Sequence, residues 1–131
     1  MKFHTDGTLP ENGEMFVFGS NLAGRHGLGG AWIARVKFGA KLGVPSGITG
    51  NSYAIPTKDQ NLRTLSLEEI ERHVNKFINA TKWPLLSNHK FFVTRVGCGL
   101  AGYKDHQIAP MFKGAINCSF AEEWRPYLEE K

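Results

Sequence analysis

One local design occurs twice in this chain. A hydrophobic run suited to a buried strand ends, a glycine-rich turn follows, and a helical pattern begins. The first copy is "FVFGSNLAGRHGLGGAW" (16–32) and the second is "FFVTRVGCGLAGYKDHQI" (91–108). Glycine in such a turn costs backbone entropy, and it is used where φ must be positive or where something approaches the main chain closely. In sheets built from alternating strands and helices, ligands sit outside the carboxyl ends of the strands. Consecutive N–H groups in such turns form anion-binding nests, and a helix start adds positive potential. Two of these loops side by side suit a diphosphate. The plain alternative is a pair of tight structural turns, and spacing alone does not separate the two. Neither common phosphate fingerprint accounts for the glycines. Those at 24, 27, 29 and 30 do not follow G-x-G-x-x-G, and no G-x-x-x-x-G-K-[ST] is present.

The remaining pattern fits an alternation of strands and helices. Strands are expected at 14–18, ending at Gly19, at 52–56, closed by Pro56, and at 90–96. Helices are expected between them. In "GLGGAWIARVKFG", Leu28, Ala31, Trp32, Val36 and Phe38 fall near a 3.6-residue period. "SLEEIERHVNKFINA" is the clearest helix, with a Ser66–Glu69 capping box and an apolar face of Leu67, Ile70, Val74, Phe77 and Ile78. "DHQIAPMFKGAIN" offers Asp105 as N-cap and a stripe of Ile108, Met111, Phe112, Ala115 and Ile116, with Pro110 pointing to a later start near Ala109. Stretches 40–51 and 57–65 read as loops. No repeat or linker divides the chain, so the expectation is one α/β domain over 1–131, with helices packed on a mixed sheet.

Bulk properties exclude little. The chain has 131 residues, 41% hydrophobic and 21% charged, the composition of a globular domain with a core of its own. No apolar run is long enough to span a membrane, and "MKFHTDGTLP" has no apolar signal region, so a cytoplasmic protein is expected. Cys98 and Cys118 then read as free thiols, with Cys98 as a packing cysteine, and no metal-ligand spacing is present. The net charge of +4 and pI near 9.2 favour anionic partners without requiring nucleic acid. His26, His73, His89 and His106 have no triad or metal spacing and read as surface residues.

Taken in order, "GLGGAWIARVKFG", "SYAIPTKD" and "VTRVGCGLAGY" resemble a macrodomain over about residues 14–117. The nearest branch is that of the terminal ADP-ribose–glutamate hydrolases. "VFGSNLAGRHG" is also similar to small macrodomain-like proteins of bacteriophages, which would imply interference with a host NAD- or ADP-ribose-based defence. The resemblance implies a three-layer α/β/α fold with a mixed central sheet and an ADP-ribose cleft at the carboxyl ends of the strands. Carried over residue by residue, Gly27, Leu28, Gly29, Gly30 and Ala31 match the first phosphate loop. Gly97, Cys98, Gly99, Leu100, Ala101, Gly102 and Tyr103 match the second. Asn21 falls beside the distal ribose, and Asp6 falls near the adenine-contacting aspartate. Lys58 matches the lysine that attacks the anomeric carbon, which requires a lowered pKa. Its partner acid is replaced by Ala101, and neither Asp59 nor Asp105 stands at the matching position.

The implied partner is ADP-ribose or a related nucleotide, free or carried on an ADP-ribosylated protein or nucleic acid; no cofactor, metal or membrane is implied. Hydrolysis of an ADP-ribosyl bond, with Lys58 and Asn21 as catalytic residues, stays open against a non-catalytic sensor or sponge, and the basic balance alone supports a third reading, a nucleic-acid-binding protein. Each residue also has a plainer role. Lys58 and Asp59 suit a solvated pair at a strand end, Asn21 suits a turn cap, and Tyr103 suits a core or rim aromatic. The C-terminal "SFAEEWRPYLEEK" departs from the family. Pro126 and its glutamates fit poorly with the final strand expected there, while Trp124 and Tyr127 suit docking on the body or an oligomer contact.

Overall fold

The structure, a computed structural model, describes residues 2–11, 13–86 and 88–129. Six strands form one sheet: β1 (Lys2–His4), β2 (Met15–Asn21), β3 (Gly47–Thr49), β4 (Ser52–Lys58), β5 (Phe91–Val93) and β6 (Cys118–Ala121). Their order is β1-β6-β5-β2-β4-β3; only β3, antiparallel to β4 at one edge, breaks an otherwise parallel sheet. The fold is thus α/β with a mixed sheet, as the alternating pattern requires. Parallel strands are buried on both faces and need continuous apolar sequence. In β2, Met15 and Val17 point to one face while Phe16 and Phe18 point to the other.

The larger core lies under α2 (Leu67–Thr81), α3 (Asp105–Ile108) and α4 (Arg125–Leu128). Phe77 is its hub, in edge-on contact with Tyr53, Phe91 and Phe112 at ring separations of 5.0, 5.5 and 6.0 Å. Ser66 caps α2 by accepting from the Glu69 N–H at 3.2 Å and donating to the Glu69 carboxylate at 3.1 Å. Ile70, Val74 and Phe77 are fully buried, each stabilising the fold by about 1.5–3 kcal/mol relative to exposure.

Among the described residues the opposite face carries a single helix, α1 (Gly29–Lys37). Its orientation corrects the sequence pattern. The buried side is Ala31 and Ala34, whereas Leu28, Trp32 and Val36 face solvent. The reason is space. Phe16 stacks on Phe38 at 4.7 Å beside Phe18, and a Cβ on Gly30 would lie 3.7 Å from Phe18 Cβ, so only small residues fit against the sheet.

Several boundaries also move. Phe91–Val93 is the paired part of 90–96, and Gly47–Thr49 is an edge strand within a stretch expected to be a loop. Cys118–Ala121 does form a strand at the front of the C-terminal segment, parallel to β1 and β5. The chain then turns at Ala121, and Trp124 docks on the body with no exposure. Helix α3 starts at Asp105 itself, with Lys104 as N-cap, and passes into a 3-10 turn over Ala109–Phe112. Glycine at 114, with φ of +97°, falls inside the helix expected to reach 117.

His26 is not a surface residue. It is 1% exposed and packs edge-on against Phe18 at 5.4 Å, next to a close crossing of two loops in which a Cβ on Gly24 would lie 2.6 Å from the Gly43 backbone. Both ring nitrogens are buried without a well-formed hydrogen bond among the described residues. Burial lowers the His26 pKa from 6.5, the Val44 backbone opposes this weakly, and the Arg35 charge adds to it. The unfolded chain therefore takes up the proton first on acidification. Stability from this site is fully present above pH 6.5 and is lost as the pH falls from there through the lowered folded value. A His26→Phe variant should show a flatter dependence of urea midpoint on pH between about 6.5 and 5; an unchanged slope would mean another group governs it.

Candidate functional site

Five parallel strands deliver their carboxyl ends to one side of the sheet. From β1 to β4 that row spans about 19 Å at the usual strand spacing. A cleft of about 650 Å³ follows it, on the α1 side. This volume suits a small-molecule site. At the β1 end lie His4, Asp6 and Leu9; His4 stacks on Phe92 at 3.7 Å, and Phe16 continues the apolar floor. The two glycine turns form the middle. Lys58, Leu62 and Ala101 lie at the β4 end.

Both turns present main-chain donors. Leu28 makes no side-chain cap to α1, so the N–H groups of Gly29, Gly30 and Ala31 have no acceptor among the described residues. In the second turn the N–H groups of Gly97, Gly99, Leu100 and Ala101 are likewise unpaired, while Cys98, Gly102 and Tyr103 donate to Arg95, Gly99 and Gly97. The turns touch: a Cβ on Gly29 would lie 3.7 Å from Leu100 Cδ1. Gly97 requires glycine, because φ is +78° and a Cβ would meet Ile108 at 3.2 Å.

The sequence-derived residues divide as follows. Asp6, Asn21, Gly27–Ala31, Lys58 and Gly97–Ala101 all line the cleft, whereas Gly102 and Tyr103 do not. The Tyr103 hydroxyl donates to the Leu65 carbonyl at 2.6 Å and the ring packs on the larger core. Asn21 spends its side chain on the loop, donating to the Arg25 carbonyl at 2.8 Å and accepting from the Arg25 N–H at 3.1 Å. Its amide therefore acts as a turn clamp. Lys58 has no acidic partner among the described residues. Asp59 accepts from the N–H groups of Asn61 and Arg63 at 2.8 and 3.0 Å, which holds it in its own turn. The main chain around Lys58 is nevertheless fixed: its carbonyl accepts from Leu22 N–H at 2.9 Å, and Thr64, bridged to it, donates to the Ala101 carbonyl at 3.1 Å.

Arg95 was missed as a site residue, although a cation between a buried strand and a glycine turn is itself a signal. Its guanidinium lines the cleft and grips Asp105 in bidentate fashion at 3.0 and 2.6 Å, with a further bond to Asp6 at 3.1 Å. Asp105 is therefore no helix cap. It also accepts from Trp124 Nε1 at 2.8 Å, and although burial alone would raise its pKa, these bonds hold its carboxyl below the ordinary value. Cys98 lies beside this cluster. Burial, reinforced by the Asp105 charge, pushes its thiol up to about 12, so it rests protonated and is no nucleophile. Among the described residues, no three His, Cys, Asp or Glu side chains are grouped to hold a metal, and no helix is long and apolar enough to cross a membrane. Compared with protein-family models, with curated proteins and with solved structures, the chain matches none.

The Arg95–Asp105 pair yields a test. Because the folded Asp105 pKa is depressed from 3.8, its contribution is complete above that value and is lost as the pH falls through the folded value. Asp105→Asn should cost about 1–2 kcal/mol at pH 7. In urea titrations the gap from the parent protein should close on acidification below pH 3.8. A gap that persists at low pH would assign the cost to packing instead.

Proposed function

We propose that this protein is a macrodomain-like binder of ADP-ribose or a closely related ADP-ribosyl nucleotide. The observation that carries the reading is two sets of unpaired backbone N–H groups, at Gly29–Ala31 and at Gly97 with Gly99–Ala101, in residues that line one cleft. A diphosphate has the acceptors these donors lack, and backbone donors at a helix start favour anions without side-chain reorganisation. The cations Lys58 and Arg25 line the same cleft without ion-pair partners among the described residues. The apolar floor of Phe92 and Phe16, with Asp6 above it, suits a nucleobase at one end. Lys58 and Asn21 stand nearer the other, where the distal ribose would lie.

Binding without turnover is the favoured form. The hydrolytic chemistry of the resembled branch needs an acid beside Lys58, and Ala101 occupies its position. Asp59 and Asp105 are already committed to other donors. In isothermal titration, ADP-ribose should bind with micromolar affinity, about −8 kcal/mol. AMP, which lacks the second phosphate and distal sugar, should bind at least about tenfold weaker. Lys58→Ala should keep the ADP-ribose affinity within a few fold, with no turnover lost because none is present. Equal binding of AMP, or no binding of ADP-ribose, would reject the reading. Release of ADP-ribose from a modified substrate that disappears in Lys58→Ala would make the protein a hydrolase.

A further inference from the structure

Charge is unevenly distributed along this chain. The stretch from Met15 to Lys58 holds five of the 16 Lys and Arg residues and none of the 12 Asp and Glu. Outside it cations and acids nearly cancel, so the net charge of +4 originates in this stretch. Its cations Arg25, Arg35, Lys37 and Lys41 are exposed, and no ion pair among the described residues involves them.

The same stretch carries the outward face of α1. Leu28, Trp32 and Val36 recur every four residues and are 71%, 48% and 56% exposed. This spacing makes a stripe about 12 Å long on a helix. Arg35 and Lys37 lie in the last turn of α1, and Arg25 precedes the stripe. An apolar stripe of this length with cations around it is the complement of a helix bearing leucine-type residues on one face and carboxylates beside them. Nucleic acid fits less well, since Trp32 is the one ring in a stripe whose other members, Leu28 and Val36, are aliphatic. A second copy of the same face is disfavoured because the cations of this stretch would be brought against each other.

We infer that the outer face of α1 is a docking surface for an acidic, amphipathic polypeptide helix, reached at the mouth of the cleft. Leu28 and Arg25 belong both to the cleft lining and to this surface, so a docked segment ends beside the cleft. The inference does not depend on which nucleotide, if any, the cleft holds.

The test uses a fluorescein-labelled peptide of about 15 residues, long enough for four helical turns. It carries Leu at i, i+3, i+4 and i+7 with Glu elsewhere, and a scrambled peptide of identical composition and a thymidine oligonucleotide serve as comparisons. Fluorescence anisotropy should detect the patterned peptide binding at least about tenfold tighter than either, a difference of about 1.4 kcal/mol. Trp32→Ala and Arg35→Glu, both outside the cleft, should each weaken it at least about fivefold while leaving the circular dichroism spectrum and the ADP-ribose titration as in the parent protein, and raised salt should weaken it further. Equal affinity for the scrambled peptide, tighter binding of the oligonucleotide, indifference to both substitutions, or no binding of the patterned peptide would each overturn the inference. A dimer in sedimentation velocity that Trp32→Ala dissociates would overturn it too, by giving the face to a second copy. A lost ADP-ribose signal with peptide binding intact would reject the nucleotide reading alone.

Discussion

The Arg95 guanidinium ties together parts of the chain that the sheet alone leaves separate. It extends from the end of β5 and reaches Asp105 on α3, Asp6 after β1, and, at 3.9 Å, Glu123 in the C-terminal segment. Trp124 completes the cluster by donating to Asp105 from within the core. A planar, permanently charged fork suits this role, because it satisfies a carboxylate bidentately and still has a donor to spare. Half-burial matters as well. The Arg95 and Asp105 side chains are shielded enough to interact strongly, yet wet enough that ionisation is not prohibitive. With Arg95 fixed, the turn that follows it is fixed, and so is the N-terminal loop that closes one end of the cleft.

The cleft itself follows from the topology of the sheet. Strand β2 sits at the centre, with β4 on one side and β5 on the other, and the loops after β2 and β5 lead toward opposite helical layers. Between such loops a parallel sheet leaves a crevice. On the α1 side, one short helix does not cover the strands from β5 to β1. His4 and the loop after it take the place of a second helix, with His4 Nδ1 hydrogen-bonded to Ser119 at 2.8 Å and its ring on Phe92. The result is a groove rather than a closed core on that face.

Much of this was legible from sequence wherever a local rule coincided with the tertiary outcome. The Ser66–Glu69 cap and the Ile70–Val74–Phe77 face of α2 are local and helical, and they stand as read. Both glycine turns stand where the strand-to-helix change of pattern put them, and most of the residues assigned to them line the cleft. The failures share a cause, which is that the deciding partner lies far along the chain. Trp32 looked like a core residue because nothing in its own helix reveals that Phe16, Phe18 and Phe38 have already filled the space beneath. His26 looked exposed because a main-chain neighbour beside its ring, Val44, is eighteen residues away. Strands β1 and β6, of three and four residues, are too short for periodicity and exist because they pair with each other and with β5. Asp105 read as a cap because helix-start statistics carry no knowledge of an arginine ten residues earlier.

The two walls of the cleft differ in what they offer an anion. On the β5 side Arg95 is already paired with Asp105 and Asp6, so among the described residues that wall offers backbone dipoles and little net charge. On the β2 and β4 side Arg25 and Lys58 belong to the acid-free stretch and have no ion pair among the described residues. An anionic ligand in this cleft would meet unpaired cations on one wall and main-chain donors on both. Charge and geometry come from different loops, so substitutions in each should be separable. Loss of a cation at 25 or 58 weakens every anion alike and is sensitive to salt. Distortion of the turn at Gly97 acts through donor placement, and it discriminates between a diphosphate and a simple phosphate at any ionic strength.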